Sequence, residues 1–321
     1  MPQSSTAGEA VHALVTGAAG FIGRAVCRRM TEEGWRVRGT TRSAPEKLHA
    51  QERVRIHLGD GDAEWTRALQ DVEVVVHLAA QAHLRDGKEG DYRGTNTRGA
   101  VRVAQAALAA GVRRFVFMSS VGVHGRQQDE TPLSEESPIR PENEYARSKW
   151  EAEQALVEMG RTGKMEISIL RSPLVYGPGN PGNFLRLMHW VDRENPLPFG
   201  RVRNRRSFVG VSNVADALLT LASHPAAAGT FLVSDGKDLS TPELIDALAE
   251  ALGKKPRIFG VPPGLLRWGM RLLGRRRDAE RLLGSLVIDS SRIRRVLSWT
   301  PPVPFKEELH RLADWYRGEG P

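Results

Sequence analysis

The stretch VHALVTGAAGFIG, residues 11–23, constrains the fold of this chain most strongly. Its apolar start is typical of a buried parallel strand, which ends at Thr16, and a helical pattern follows at once. Gly17, Gly20 and Gly23 recur at every third position across this junction. Such glycines permit a tight turn, the close approach of a pyrophosphate to the backbone, and close packing of helix on strand. The stretch therefore predicts a dinucleotide site, with the helix N-terminus holding the phosphates.

Strand and helix patterns alternate along the first half of the chain, which predicts an α/β fold with a doubly wound parallel Rossmann sheet. Two later strand patterns are expected to return to this sheet. We therefore assign residues 9–172, completed by 205–235, to the dinucleotide-binding domain. A Pro- and Gly-rich segment and several further helices predict a smaller C-terminal α/β substrate-binding domain, built from residues 173–204 and 236–321. This second domain is expected to cap the carboxyl ends of the strands and form a cleft, with cofactor on one wall and substrate on the other.

The composition is that of a globular protein, with 321 residues, 40% hydrophobic and 26% charged residues, and one cysteine that cannot form an internal disulfide. A net charge of +8 could indicate a protein that binds nucleic acid. However, the arginines are spread along the chain, and no basic motif contains aromatic residues between its charges. We expect no nucleic-acid partner. The N-terminus lacks the apolar region of a secretory signal, and no apolar run approaches the ~18 residues needed to span a bilayer. We expect a cytoplasmic protein without an integral membrane segment.

Residues 264–277, GLLRWGMRLLGRRR, are basic and amphipathic. Two interpretations fit this pattern: a helix lying on a membrane surface, or a core-facing helix with a solvated arginine end. We favour the core-facing helix. Elsewhere, no cluster of Cys, His and acidic residues has the spacing of metal ligands, and we predict no metal.

A phenol and an ammonium stand four residues apart in the sequence YARSK, which places Tyr145 and Lys149 on one face of a predicted helix. A free tyrosine, with a pKa of about 10, is a poor acid–base catalyst near neutrality, and a nearby cation lowers that pKa because it favours the phenolate. Ser119 and Ser120 end a strand at the predicted carboxyl edge of the sheet. A serine hydroxyl there can hydrogen-bond a substrate oxygen while the tyrosine exchanges a proton with it. Each pattern alone is common on solvated helices and turns, but together they indicate an acid–base site.

Several motifs, in order from about residue 11 to 300, together resemble the extended short-chain dehydrogenase/reductase family. They are TGAAGFIG at 16–23, HLAA at 77–80, Asn96, SSVGVHG at 119–125, YARSK at 145–149 and RSPLVYGPG at 171–179. A later motif, RRSFVGVSNVADA at 205–217, is similar to the nucleotide-sugar epimerases and reductases of that family. The resemblance implies a catalytic triad of Ser120, Tyr145 and Lys149.

Two departures from the family pattern narrow the chemistry. The related 4,6-dehydratases carry an acid pair after the catalytic serine or threonine, but this chain has Val121 and Gly122 there, which argues against dehydration. The second strand ends in Thr41 and Arg42, where an NAD enzyme usually places an acid on the ribose diol. An arginine in place of that acid suits a 2′-phosphate. We therefore predict NADP(H), with NAD as the other possibility.

The binding residues follow from the resemblance, from this second-strand ending and from nearness to the expected active site. The expected cofactor set is Gly17, Gly20, Phe21, Ile22, Gly23, Thr41, Arg42, Asp60, Leu78, Ala79, Ala80, Asn96 and Lys149. The expected substrate set is His83, Ser119, Asn183, Phe199, Arg206 and Arg281. In the family pattern the phenylalanine stacks on a nucleotide base and the arginines pair with the diphosphate. A homodimer through helices at about 93–110 and 145–159 is implied by the family alone.

The leading hypothesis is an oxidoreductase that reduces a 4-keto nucleotide-sugar, of the UDP-4-keto-6-deoxyhexose type, by hydride transfer at C4. Tyr145 would protonate the oxygen, Ser120 would hold it, and Lys149 would lower the pKa of the tyrosine. The close alternative is an NAD-dependent 4-epimerase acting on a UDP-hexose or UDP-N-acetylhexosamine with the same groups. A remote alternative is a non-catalytic NADP-binding sensor, which would have no need of the three residues together.

Overall fold

The computed structural model describes residues 10–42, 48–82, 91–127, 130–180, 182–274 and 276–318, without the side chains of 183 and 276–278. Within it the chain forms two compact units. The first takes the residues up to Val123 together with Pro141–Arg171 and Ala215–Phe231, and the second takes His124–Arg140, Ser172–Val214 and Leu232–Pro321.

The secondary structure alternates as the sequence predicts. The strands are β1 (His12–Thr16), β2 (Arg36–Thr41), β3 (Glu52–Arg55), β4 (Val74–His77), β5 (Arg114–Ser120), β6 (Glu166–Ser172), β7 (Leu174–Tyr176), β8 (Arg206–Gly210), β9 (Gly229–Leu232) and β10 (Asp238–Leu239). The helices are α1 (Phe21–Glu32), α2 (Asp62–Ala68), α3 (Gly99–Ala109), α4 (Glu144–Gly160), α5 (Asn183–Asp192), α6 (Val211–Ser223), α7 (Thr241–Leu252), α8 (Pro263–Leu272), α9 (Arg276–Leu283), α10 (Ser291–Leu297) and α11 (Phe305–Arg317). A π-helical segment, Arg93–Arg98, precedes α3, and a 3₁₀ turn, Val121–His124, follows β5.

The first unit contains a seven-stranded sheet in the order β3-β2-β1-β4-β5-β6-β9, which confirms the predicted doubly wound fold. The pairs β2–β3, β1–β2, β1–β4 and β4–β5 are parallel. Every residue of β1 and β4 is buried, as expected of strands covered on both faces. The strand order reverses between β1 and β4. Open α/β sheets bind ligands at such a switch point, outside the carboxyl ends of the strands.

The second unit has its own core and a three-stranded sheet in the order β10-β8-β7. Here two predictions are corrected. Strand β8 was expected to complete the large sheet, but it pairs with β7 in parallel and with β10 antiparallel. Residues 124–140 were expected in the dinucleotide-binding domain, but Leu133 bridges to Ile288, with its amide donating to the Val287 carbonyl at 2.8 Å. These pairings join segments that are far apart in the sequence. The residues of one short strand do not show which distant strand it will pair with.

Helix α8 corrects a third prediction, because none of its residues is buried. Leu265, Trp268 and Leu272 are 57%, 62% and 66% exposed, and only Leu266 and Met270 pack against the core of the second unit. The expected core-facing helix therefore has a second, solvent-facing apolar stripe. Within the described part of the chain, no helix is long and apolar enough to cross a bilayer.

Candidate active site

The turn between β1 and α1 can be built only from glycine at two of its positions. Gly17 has a φ of +67°, and a Cβ there would lie 2.9 Å from the Ala79 amide nitrogen, in the loop after β4. A Cβ on Gly23 would lie 2.2 Å from the Gly17 carbonyl oxygen, because the first turn of α1 packs directly on the loop. The turn therefore brings the backbone of α1 against the carboxyl ends of β1 and β4, which fits a bound pyrophosphate.

The N-terminus of α1 offers its amide groups to an anion. Gly20 is the N-cap in an extended conformation, no side chain caps the helix, and its first turn holds no acidic residue. Phe21 and Ile22, both half-buried, begin the helix. Uncapped amides and the positive end of the helix dipole favour a phosphate at this point. These residues fit the dinucleotide that the sequence predicts.

A threonine that sequence reasoning missed fixes the neighbouring loop. The Thr16 Oγ1 accepts from the amides of Leu78 and Ala79, both at 3.1 Å, and lies 3.1 Å from His77 Nδ1. Burial lowers the pKa of His77 to about 3, so this histidine is neutral and accepts a proton only weakly. The loop after β4, which is expected to line the dinucleotide, is thus fixed by hydrogen bonds to Thr16 of β1.

Asn96 supports the same loop rather than facing a ligand directly. It is buried in the π-helical segment, its Oδ1 accepts from the Gln81 amide at 2.7 Å, and its Nδ2 donates to the Gln81 carbonyl and to Ser148 Oγ. These bonds tie the loop after β4 to helix α4. π-helical turns are often found at functional sites. Asn96 positions the residues around the cofactor, and its side-chain bonds are committed to the protein.

Lys149 is buried at the carboxyl end of β5. It is 2% exposed, its Nζ donates to the Met118 carbonyl at 2.8 Å, and it lies 4.6 Å from the centre of the Phe117 ring. Burial lowers the pKa of Lys149 to about 8, against an opposing contribution from Glu153. A low pKa caused by burial at a sheet edge is typical of a functional lysine.

Tyr145 lies one helical turn before Lys149 and is half-buried. Burial, with a smaller contribution from Tyr92, raises the pKa of Tyr145 to about 12. The Tyr92 ring packs edge-on against it, with centroids 6.2 Å apart. The prediction that Lys149 lowers the pKa of this tyrosine is therefore not met here, because desolvation dominates and the ammonium is bonded to a backbone carbonyl. The phenol is protonated at neutral pH.

Ser120 ends β5 beside the start of α4. Its Oγ accepts from the Gly122 amide at 3.1 Å, and a Cβ on Gly122 would lie 3.2 Å from this Oγ and 3.9 Å from the Ala146 Cβ. The serine hydroxyl thus lies next to the first turn of the helix that carries Tyr145. The Lys149 ammonium, bonded to Met118, and the first turn of α4, which carries Tyr145, therefore both lie near the end of β5 where Ser120 stands.

Ser119 has a different role from the one predicted. It is buried, and its hydroxyl donates to a carboxylate oxygen of Glu153. Glu153 is paired in turn with the buried Arg171, whose Nη2 lies 2.5 Å from Oε2. Successive residues of a strand point to opposite faces, so Ser119 faces the interior when Ser120 faces the end of the helix. The predicted substrate contact of Ser119 is corrected to a structural one.

The remaining predicted cofactor residues lie around the sheet edge. Leu78 and Ala79 are half-buried, Ala80 and Arg42 are exposed, and Thr41 is buried at the end of β2. Asp60 closes its own turn, since its Oδ2 accepts from the His57 amide at 2.7 Å. Strand β2 ends at Thr41 and is followed by Arg42, so no acidic side chain stands at its end.

The predicted substrate residues of the second unit are partly assembled. Arg206 donates to the Gly284 carbonyl at 2.9 Å, and burial together with nearby Arg281 lowers the pKa of Arg206 to about 10. Two guanidiniums that repel each other in this way are suited to an anion. Phe199 packs in the core and is 8% exposed, which leaves little ring face for a base, so the predicted stacking is not supported. Asn183 begins α5 with its side chain outside the described residues, and His83 lies outside them altogether.

Comparison with known proteins gives a consistent assignment. Residues 13–233 match the NAD dependent epimerase/dehydratase family. The chain is 37% identical over 310 residues to a UDP-glucose 4-epimerase of Vibrio cholerae, covering 94% of each protein. Among solved structures it is similar to MoeE5 in complex with UDP-glucose and NAD, with a TM-score of 0.77, 26% identity, and coverage of 96% of this chain and 99% of that one. It is equally similar to the UDP-glucose 4-epimerase of Thermus thermophilus in complex with NAD, with a TM-score of 0.76, 26% identity, and coverage of 96% and 99%.

The family match spans more than half of the chain and includes the glycine turn, the β4 loop and the Ser120–Tyr145–Lys149 cluster. This chain belongs to the NAD-dependent epimerase/dehydratase family, within the extended short-chain dehydrogenases/reductases, and is a nicotinamide-dependent enzyme of the nucleotide-sugar branch.

Proposed function

We propose that this enzyme is a 4-epimerase of a UDP-hexose or UDP-N-acetylhexosamine. The observation that carries the proposal is the make-up of the site around Ser120. Tyr145 and Lys149 stand there, while Val121 and Gly122 replace the acid pair of the related dehydratases. Such a site can transfer a proton to and from one substrate oxygen. It has no second acid that could protonate a leaving hydroxyl group, as dehydration requires. The 37% identity to a UDP-glucose 4-epimerase favours epimerisation over reduction.

A bound nicotinamide would supply the hydride chemistry at C4, first as acceptor and then as donor. The Tyr145 phenolate takes the proton of the C4 hydroxyl when the ketone forms, and the resulting phenol gives it back to the oxygen when the ketone is reduced. The Ser120 hydroxyl holds that oxygen throughout. Because the pKa of Tyr145 is about 12, the protonated form is ready for the second half of the cycle. The first half requires the phenol to lose its proton, which burial of Tyr145 disfavours. Lys149, one turn along α4, donates to the Met118 carbonyl rather than lowering the pKa of Tyr145.

The pair of Arg206 and Arg281 supports the diphosphate of the substrate. Burial and the nearby Arg281 lower the pKa of Arg206, and a phosphate anion bound there would relieve the repulsion. An arginine binds a phosphate through two parallel hydrogen bonds, so the pair also fixes its orientation. This contribution is the same for any sugar attached to the diphosphate, and it leaves the choice of sugar to other residues.

The purified enzyme, incubated with UDP-glucose or UDP-N-acetylglucosamine and no added cofactor, tests the proposal. We expect the C4 epimer to appear in the NMR spectrum of the sugar, because a retained nicotinamide returns to its starting state in each cycle. Absence of epimer from both substrates, in a preparation that releases nicotinamide on denaturation, would refute the epimerase.

A second candidate is the reduction of a 4-keto nucleotide-sugar with NADPH. It is favoured by the end of β2, where Thr41 and Arg42 stand in place of an acid and an arginine suits a 2′-phosphate. A phenol that stays protonated also suits a dedicated acid. This candidate predicts NADP rather than NAD among the released nucleotides, and consumption of NADPH only when a 4-keto sugar is supplied.

A further inference from the structure

We propose that helix α8 docks on the surface of a membrane that carries anionic lipids. Leu265, Trp268 and Leu272 are spaced i, i+3 and i+7, which places them on one stripe of the helix, and each is more than half exposed. Leu273, which follows the helix, is 74% exposed. Contiguous exposed apolar side chains of this size mark an interaction site rather than an ordinary surface.

A second stripe beside the first carries positive charge. Arg267 and Arg271 stand four residues apart and are exposed, and the helix contains no acidic residue. Neither arginine has a salt-bridge partner among the carboxylates that the structure describes. The sequence continues with three more arginines at 275–277. An apolar stripe bordered by unpaired cations is complementary to anionic headgroups above acyl chains.

The two arginines also line a cavity of about 250 Å³ together with Arg126, Ala279 and Glu280. Glu280 lies 2.9 Å from Arg126, so the lining holds three guanidiniums against one carboxylate. A net positive recess beside the apolar stripe suits a phosphate headgroup. A second copy of this chain fits less well, because two-fold packing of the helix on itself would bring identical arginine clusters together.

The helix is already formed on the protein. Leu266 and Met270, on its opposite side, pack against the core of the second unit. Docking therefore needs no folding step, and the tryptophan lies where an indole can sit at the headgroup level. The inference does not depend on the reaction proposed above.

Sedimentation of the full chain with vesicles tests the proposal. Vesicles of equal parts phosphatidylglycerol and phosphatidylcholine should bind the chain, phosphatidylcholine vesicles should bind it far less, and salt should weaken the binding. Trp268→Ser should lower partitioning about tenfold, since it removes an indole that is exposed on the free protein and becomes buried at the membrane surface. Arg267→Gln with Arg271→Gln should lower it roughly 30-fold, from two cations near an anionic surface.

Matched controls separate specific docking from general attraction. Trp190→Ser removes a tryptophan of α5 that is 52% exposed, and Arg161→Gln with Lys164→Gln removes two exposed cations from the first unit. Both should leave partitioning unchanged within about twofold. Three results would overturn the proposal: no binding to anionic vesicles, equal losses in the controls, or a dimer in solution that Trp268→Ser converts to monomer.

Discussion

The buried ammonium of Lys149 should destabilise the folded chain at neutral pH. Burial lowers the pKa of Lys149 from 10.5 to about 8. Each pKa unit corresponds to 1.36 kcal/mol, so the charged form costs the folded state about 3 kcal/mol. Between these two values the unfolded chain binds more protons than the folded one, and stability rises with pH. At a pH below the folded pKa of about 8, the ammonium lowers the stability of the folded chain by the full amount. At a pH above the unfolded pKa of 10.5, the lysine is neutral in both states and this destabilisation is absent.

Lys149→Met keeps the length of the side chain and removes the charge. At about pH 7 we expect the variant to be more stable than the parent by about 2 kcal/mol, since the hydrogen bond to Met118 that is lost is worth about 1 kcal/mol. At about pH 11 the gain should disappear and the variant should be slightly less stable. The variant should show no turnover at either pH. Lys149 would then be a residue that function requires although it lowers the stability of the fold.

Urea unfolding at the two pH values measures the difference directly. Lys164→Met, at an exposed position after α4, is the control, and its effect should stay within about 0.5 kcal/mol at both. A Lys149→Met variant that is less stable at neutral pH, or a difference from the parent that does not change with pH, would refute the reasoning.

Two further substitutions test the packing that holds the site. Glu153→Gln leaves Arg171 buried without its carboxylate and should destabilise the chain by about 3–5 kcal/mol, whereas Glu158→Gln, in an exposed pair on the same helix, should change stability by less than about 1 kcal/mol in the same urea titration. Similar effects of the two would show that burial is not the cause. Gly23→Ala should cost about 1–3 kcal/mol and reduce the nicotinamide retained on purification, while Gly269→Ala, with open space around it in α8, should raise the melting temperature slightly. Full cofactor retention by Gly23→Ala would contradict the close packing of the turn.

The parts of the site that are formed by residues close together in the sequence could be predicted. The glycine turn at Gly17 and Gly23 and the placement of Tyr145 and Lys149 one turn apart on a helix are local patterns, and the structure forms both. The opposite orientation of Ser119 and Ser120 was also available, because residues alternate along a strand. By this alternation only one of the two serines can face the substrate, so the expected substrate contact of Ser119 was wrong.

Other features depend on contacts between distant segments. The partner of Glu153 is Arg171, eighteen residues away, and strand β8 pairs with β7 and β10 because of tertiary packing rather than its own residues. The pKa of Tyr145 depends on how deeply the whole fold buries it. Helix α8 shows a related limit: the amphipathic pattern predicted a helix, but the apolar residues divide between the core and the solvent.

The proton carried by Tyr145 can be tested by one substitution. Tyr145→Phe removes a single hydroxyl from α4, and the cofactor residues of β1, β4 and α1 are untouched. We predict that turnover of the UDP-sugar falls by about a hundredfold or more, while the variant still retains its nicotinamide. Turnover within about tenfold of the parent enzyme would contradict the assignment of this phenol as the group that moves the proton.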